Sequence, residues 1–280
     1  MEWNVTDELD RYRAFEWLLF ERPAPYVLKM TFNNPAQMNA MTRPMKEEIH
    51  AIWRIIDEDP ATRVTIVTGA GRAFCAGGAF DAMPDTGQKD RNDQFNQDFL
   101  DARELVAMLV NSRKPIISAI NGPAIGAGLA VALLADISIA AKSAKLLDGH
   151  LRIGVAPGDH ALIVWPLLCG LAKAKYLLMT NEIINGEQAE AMNLVSLAVD
   201  DAALQDKALE TAIRLVDTAP TALRMTKYLM NSFLRRNQDI FDLSAAFEMV
   251  NFGSAESVEA LRAYQAKERP VFKPATNDFQ

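Results

Sequence analysis

Two glycine-rich turns are the first places in this sequence where the main chain could do chemistry. One reads Phe74-Cys75-Ala76-Gly77-Gly78-Ala79-Phe80-Asp81 and follows the β-rich run Val64–Thr68. The other reads Asn121-Gly122-Pro123-Ala124-Ile125-Gly126-Ala127-Gly128 and follows Pro115–Ile120. Small residues let a ligand approach the backbone, and amides at a helix start point outward with partial positive charge. Two such donors converging on one carbonyl oxygen make an oxyanion hole. Either turn alone reads first as tight packing, and only the pair raises the chemical reading. Reactive side chains are sparse, with 3 histidines and 2 cysteines. His50 falls on a long helical pattern and reads as a surface residue. Cys75 and Cys169 have no activating base nearby in sequence and read as packing groups. The sequence shows no metal-ligand cluster, dinucleotide fingerprint or P-loop.

The elements that must hold these turns alternate between strand and helix. Phe15–Glu21 and Tyr26–Phe32 read as a hairpin around Pro23-Ala24-Pro25. Thr42 reads as the N-cap of a helix to about Asp57, with Met45, Ile49, Ile52, Trp53 and Ile56 on one face. The acidic run Asp57-Glu58-Asp59 before Pro60 reads as a solvated helix end. Val64–Thr68 reads as a strand, 84–93 as a polar mobile segment, and Gln94–Val110 as a helix. From Pro115 to Ala135 no residue carries a formal charge. A membrane span needs about 20 such residues, but Asn121-Gly122-Pro123 divides the run into a buried strand and a short helix from Gly126. Ile137–Ala140 and Val195–Val199 read as further strands. Ala161–Leu168, capped by Gly158 or Asp159, and Lys173–Met179 read as helices. Everything from Asp201 reads helical. The apolar residues of that tail (Met225, Leu229, Phe233, Phe247, Val250 and Phe252) exceed what one exposed layer should show, so an oligomer is expected.

Composition sets the outer bounds. Of 280 residues, 36 are acidic and 29 basic, a net charge of −7, and half are hydrophobic. That balance argues against binding nucleic acid or anionic membranes. The cysteine count fits a reducing compartment, and the charged N-terminus does not read as a signal peptide, so a cytoplasmic location is expected.

The ordered landmarks Asn34-Pro35, Asn39-Ala40-Met41, Phe74-Cys75-Ala76-Gly77-Gly78, Asn121–Gly128, Ala135-Asp136-Ile137, Gly154-Val155-Ala156-Pro157-Gly158 and Gly186-Glu187-Gln188-Ala189…Asn193-Leu194-Val195 resemble those of the crotonase superfamily, the enoyl-CoA hydratase/isomerase family. The resemblance runs over essentially the whole chain. It implies an α/β fold, a ClpP-like ββα spiral catalytic core over residues 1–200, with two nearly perpendicular sheets, and a helical trimerisation domain over 201–280. It implies an acyl-CoA substrate, with CoA part of the substrate and no separate cofactor, and a homotrimer or dimer of trimers. Under it the Gly78 and Ala127 amides hold the thioester oxygen, and Ala76, Ala79, Phe80 and Asp81 join them in binding substrate. The family usually carries glycine where Ala127 stands.

The same resemblance places two catalytic glutamates where this chain has Ala130 and His150, while Ala79 replaces a family acid and Asp81 follows two residues later. Imidazole titrates near neutral pH and can serve as general acid or base at His150. Asp159, nine residues on, could orient it, as an aspartate does in a catalytic triad. Otherwise His150 is structural and Asp159 a helix cap; His160 reads as structural. A His–Asp pair at this spacing is also similar to the β-diketone hydrolases of the superfamily, which cleave C–C bonds. Glu248 matches an acidic residue of that branch, although by position alone it reads as a helix-surface carboxylate. The alternative activity is therefore hydrolysis of a β-dicarbonyl. A non-catalytic, RNA-binding relative is a third reading, against which the acidic balance weighs. Arg72, Lys89, Lys267 and Arg269 are candidate CoA contacts, and Phe80, Met83 and Trp165 candidate lining of an apolar pocket.

Overall fold

The chain winds strand–helix units into one long sheet and one short one, and the two glycine-rich turns lie where these meet. The structure, a computed structural model, describes residues 9–79 and 88–272. Phe80, Asp81, Met83 and the start of the 84–93 stretch lie outside the described residues, as does the Lys89 side chain. Strand β1 (Leu18–Ala24) pairs antiparallel with β2 (Val27–Phe32), the expected hairpin. Helix α1 (Arg43–Glu58) buries the five apolar residues read from its periodicity. Thr42 holds the N-cap position, but its side chain makes no cap hydrogen bond. Strand β3 (Val64–Gly69) follows, then helix α2 (Gln88–Asn111) and strand β4 (Ile116–Ile120).

The uncharged run becomes β4, the short strand β5 (Ala124–Ile125) and helix α3 (Ala127–Leu134), every residue of which except Ala127 is buried. Strand β6 (Ile137–Ala141) and strand β7 (Lys145–Leu147) come next, then helices α4 (Ala161–Cys169) and α5 (Leu171–Thr180). Strand β8 (Ile184–Asn185), helix α6 (Gly186–Ala191) and strand β9 (Leu197–Val199) complete the mixed portion. The large sheet runs β1-β2-β3-β4-β6-β9, parallel from β2 onward; β5, β7 and β8 form the small one. β4 is buried on both faces, as a parallel strand covered by helices must be. β7, β8 and α6 are too short to leave a periodic signal.

Helices α7 (Leu204–Val216), α8 (Pro220–Met230), α9 (Ser232–Arg235), α10 (Gln238–Phe252) and α11 (Ala255–Ala266) end the described chain. α7 lies on β3, β4 and β6, while α10 lies on α2 and α4. Met225, Leu229, Phe233, Phe247 and Val250 are all more than half exposed. Among the described residues no helix is long and apolar enough to cross a membrane.

The acidic run after α1 is not solvated throughout. Asp59 is 1% exposed. It accepts hydrogen bonds from Tyr12 Oη (2.7 Å), Thr62 Oγ1 (2.6 Å), Arg22 Nη2 (2.7 Å) and the Ala61 N–H (3.0 Å). Burial pushes its carboxyl up, but the bonds from Thr62, Tyr12 and Arg22 outweigh that and bring it down to about 2. Lys114 Nζ caps the end of α1 by donating to the carbonyls of Ile56 and Asp59.

Candidate active site

Two asparagines fasten the first turn. Asn39, at φ 57°, accepts from the Asn34 N–H and donates to the carbonyls of Ala70 and Ala73 at 2.9 and 2.8 Å. Asn121 donates to the carbonyls of Gly69 and Gly71 and accepts from the Gly69 N–H. Single parallel bridges then join Cys75 to Ala124 and Gly78 to Met41. In the second bridge the Met41 N–H donates to Gly77 O (2.8 Å) and the Ala79 N–H donates to Met41 O (3.1 Å). With its neighbours turned toward Met41, Gly78 itself points its N–H the other way. Neither the Gly78 nor the Ala127 N–H has a backbone acceptor among the described residues. The turns touch: a side chain on Gly77 would lie 2.9 Å from Ile125 O and 3.9 Å from Gly126 Cα. Gly128 could not carry one either, because it would meet Cys75 at 2.5 Å. Cys75 is a packing residue whose thiol burial pushes up to about 12.

Both turns open on one cavity of 660 Å³, walled by α1, α2, the start of α3, the His150 turn and α10. Ala76, Gly78, Ala79, Ala127 and Ala130 line it, and so do His150, Asp159 and Glu248. No carboxylate stands at Ala130, in agreement with the sequence. His50, read as a surface residue, lines the cavity too, 3.9 Å from Glu104. Arg43 and Lys46 are its cationic lining; Arg72, Lys267 and Arg269 are exposed and do not line it. Trp165 is also absent from the wall. It is 1% exposed and donates from Nε1 to His160 Nε2 at 3.2 Å.

His150 sits at one end among three carboxylates. Asp148 Oδ2 lies 3.1 Å from Nδ1, while Glu248 Oε1 and Asp159 Oδ2 lie 3.4 and 3.9 Å from Nε2. The expected partner was Asp159, but its Oδ1 accepts from His160, from the ring Nδ1 at 2.5 Å and the main-chain N–H at 2.7 Å. With Trp165 donating to Nε2, His160 carries its ring proton on Nδ1. Asp159 therefore spends its nearer oxygen on His160, and Asp148 holds Nδ1 of His150. Nor does Asp159 cap α4, where His160 is the N-cap residue. Glu248 is 7% exposed and not a surface carboxylate. α10 can bring it in because residue 158 is glycine: a methyl there would come within 2.4 Å of Glu248 Oε2 and 2.8 Å of Ser244 O.

Burial opposes charge on His150, but Asp148, Asp159 and Glu248 outweigh it and hold the ring protonated well above the ordinary imidazole range. Burial raises the Glu248 carboxyl against the pull of His150. Burial likewise raises Asp159, where His160 and His150 outweigh it and lower the carboxyl. Asp148 Oδ1 and Glu248 Oε2 are buried without a hydrogen-bond partner among the described residues. Donor atoms of Asp148, His150 and Asp159 lie within 4.8 Å of one another. They are already committed to protons, on Nδ1 of His150 and on His160, and we assign no metal there.

Comparison with known proteins gives the family and the fold. The family pattern described as Enoyl-CoA hydratase/isomerase matches residues 24–275. The chain is 30% identical over 249 residues to 1,2-epoxyphenylacetyl-CoA isomerase of Escherichia coli (strain K12), covering 88% of this chain and 94% of that one. It is 30% identical over 235 residues to the short-chain-enoyl-CoA hydratase of Clostridium acetobutylicum, covering 83% and 87%. The crystal structure of an enoyl-CoA hydratase from Mycobacterium avium subsp. paratuberculosis K-10 has the same fold, with TM-score 0.82 at 22% identity over 92% of this chain and 99% of that one. The chain belongs to the enoyl-CoA hydratase/isomerase family of the crotonase superfamily and is an enzyme of that lyase/isomerase class.

Proposed function

We propose that the enzyme takes an acyl-CoA thioester, holds its carbonyl oxygen on the Gly78 and Ala127 amides, and moves a proton at the α-carbon through His150. The observation that carries this reading is the shared cavity: two residues whose amides have no backbone acceptor among the described residues line the same space as a buried, proton-loaded imidazole. As charge moves onto the thioester oxygen, each preorganised donor is worth about 3 kcal/mol in the transition state. For hydration, water adds its oxygen at the β-carbon and gives up a proton to a carboxylate beside Nε2. The His150 Nε2 proton then passes to the α-carbon, where the enolate electron pair forms the new C–H bond and the N–H pair stays on Nε2. Glu248, its carboxyl raised by burial, is a better proton acceptor than Asp159, and from 3.4 Å it can return the proton to His150. Ala76 and Ala79 line the cavity beside these donors, and Phe80 and Asp81, next in sequence, are assigned to substrate binding from the family resemblance alone. The enzyme needs no cofactor beyond the CoA of its substrate.

Residues 1–200 form the catalytic spiral and 201–280 the oligomerisation portion, in which the exposed apolar residues of α8 to α10 pack against other copies in a trimer or dimer of trimers. Nothing in the site favours a β-dicarbonyl over a thioester. A panel of enoyl-CoA thioesters and β-diketones in oxygen-18 water, read by mass spectrometry, tests the reading. A labelled hydroxyacyl thioester or a shifted double bond supports it, and a labelled carboxylic acid from a diketone overturns it.

A further inference from the structure

Asp148 touches both halves of this site. Its main-chain carbonyl accepts from the Gly126 N–H at 3.1 Å, one residue before the Ala127 donor. Its side-chain Oδ2 lies 3.1 Å from His150 Nδ1 and 3.3 Å from the His150 N–H. Gly126 takes φ 49° to make the first contact, and Gly149, at φ 89°, turns the chain back for the second. The carboxylate is 3% exposed, so water does not compete for it.

From this geometry we infer that Asp148 is the positioning residue of the site, fixing where the oxyanion donor stands relative to the proton donor and keeping the His150 proton on Nε2 available to substrate. The inference rests on the reading of His150 proposed above. With Nδ1–H held by Asp148, the transferable proton is the one on Nε2, which faces Asp159 and Glu248. When Nε2–H is given to the α-carbon, Nδ1 keeps its proton and the ring ends neutral. A proton from Glu248 or solvent restores the cation. The charges facing the ring are Asp148 from the turn after β7, Asp159 from the segment before α4 and Glu248 from α10, with His160 behind Asp159. Asparagine at 148 would still accept from Nδ1–H and would leave the main-chain contact intact, so Asp148→Asn removes the charge alone.

The test compares Asp148→Asn, Asp148→Ala and His150→Gln by kcat against pH on the thioester the enzyme turns over, with nitrogen-15 NMR of the histidine rings in the wild type. The expected result for Asp148→Asn is a 10- to 100-fold lower kcat, on the order found for carboxylates that orient histidines elsewhere. Its alkaline limb should move to lower pH, and KM should stay near the wild-type value. Asp148→Ala should lose more. An Asp148→Asn enzyme with unchanged kcat and alkaline limb, alongside inactive His150→Gln, overturns the role of Asp148 and leaves that of His150 standing. Loss of melting temperature without movement of the limb counts the same way. Fully active His150→Gln overturns the underlying reading instead. Should no position-148 variant fold, the wild-type spectra decide: a His150 ring protonated on Nδ1 and titrating above the ordinary imidazole range supports the inference, and one titrating below it overturns it.

Discussion

Among the described residues, the buried aspartates Asp59 and Asp148 differ in whether both carboxylate oxygens are bonded. Around Asp59 the donors Tyr12, Thr62, Arg22 and the Ala61 N–H supply both oxygens, and Arg22 supplies the opposite charge. Around His150 three carboxylates share one imidazole, and two of their oxygens have no partner. The first joins the start of the chain to the end of α1 and opens on no catalytic group. The second borders a 660 Å³ cavity lined by Gly78 and Ala127, whose N–H groups have no backbone acceptor among the described residues. A satisfied buried cluster fastens the fold, whereas an unsatisfied one holds protons and charge that a substrate can draw on.

The sharpest break between them is His150→Ala. Turnover per folded molecule should fall on the order of 10²- to 10⁴-fold, the usual worth of a general acid or base, and the melting temperature should fall too, because three buried carboxylates lose the cation they share; unimpaired turnover on the true substrate would refute the assignment. The counterpart is Asp59→Ala, which leaves Arg22 buried beside a void. It should cost about 3–5 kcal/mol in denaturant unfolding, while kcat per folded molecule is unchanged. Gly158→Ala lies between them. Its methyl must displace Glu248 and the α10 backbone, at about 1–3 kcal/mol, and kcat should fall because the His150 cluster is pried open. A normal kcat with intact stability would show that the approach of α10 is irrelevant.

Smaller effects separate the clusters by pH. The Asp59 carboxyl is lowered on folding from 3.8 to about 2. Its contribution, about 2 kcal/mol by linkage, is therefore present above 3.8 and lost as pH falls toward 2. The stability gap between wild type and Asp59→Asn should close over that window. The His150 pKa is raised on folding, so its contribution is complete below the ordinary imidazole value of 6.5 and is lost as pH climbs through the higher folded value. Smallest of all, Glu248→Gln should change stability by less than about 1 kcal/mol, because burial already disfavours the charged carboxylate. A large loss would mean that Glu248 is a fastener like Asp59.

The parts of this site made from main chain were legible in the sequence. Glycine at Gly77 and Gly128 is dictated by close backbone approach, and asparagine at Asn39 and Asn121 by the carbonyls each one holds, and such constraints show in the residue itself. The apolar faces of α1 and β4 were legible for a similar reason, since periodicity records burial. Side-chain partnerships were not. Asp148 stands two residues before His150 and Asp159 nine after, and only folding shows that the nearer one takes Nδ1 while the farther one turns to His160. Glu248 and Asp59 looked like surface acids because nothing local to a helix reports what packs against it. The signal that could have raised Glu248 was indirect, a glycine at 158 whose missing side chain leaves room for the carboxylate.

That glycine also imposes an order of assembly. The two donor turns and His150 belong to the part of the chain that is synthesised first, whereas Glu248 comes on a helix made much later. Folding tends to follow emergence from the ribosome. An early intermediate can thus carry the two glycine-rich turns while the far wall of the cavity is still missing. The cleft closes, and His150 acquires its third carboxylate, only when α10 settles over Gly158. Completion of the tail is thereby what completes the His150 cluster and the cavity wall.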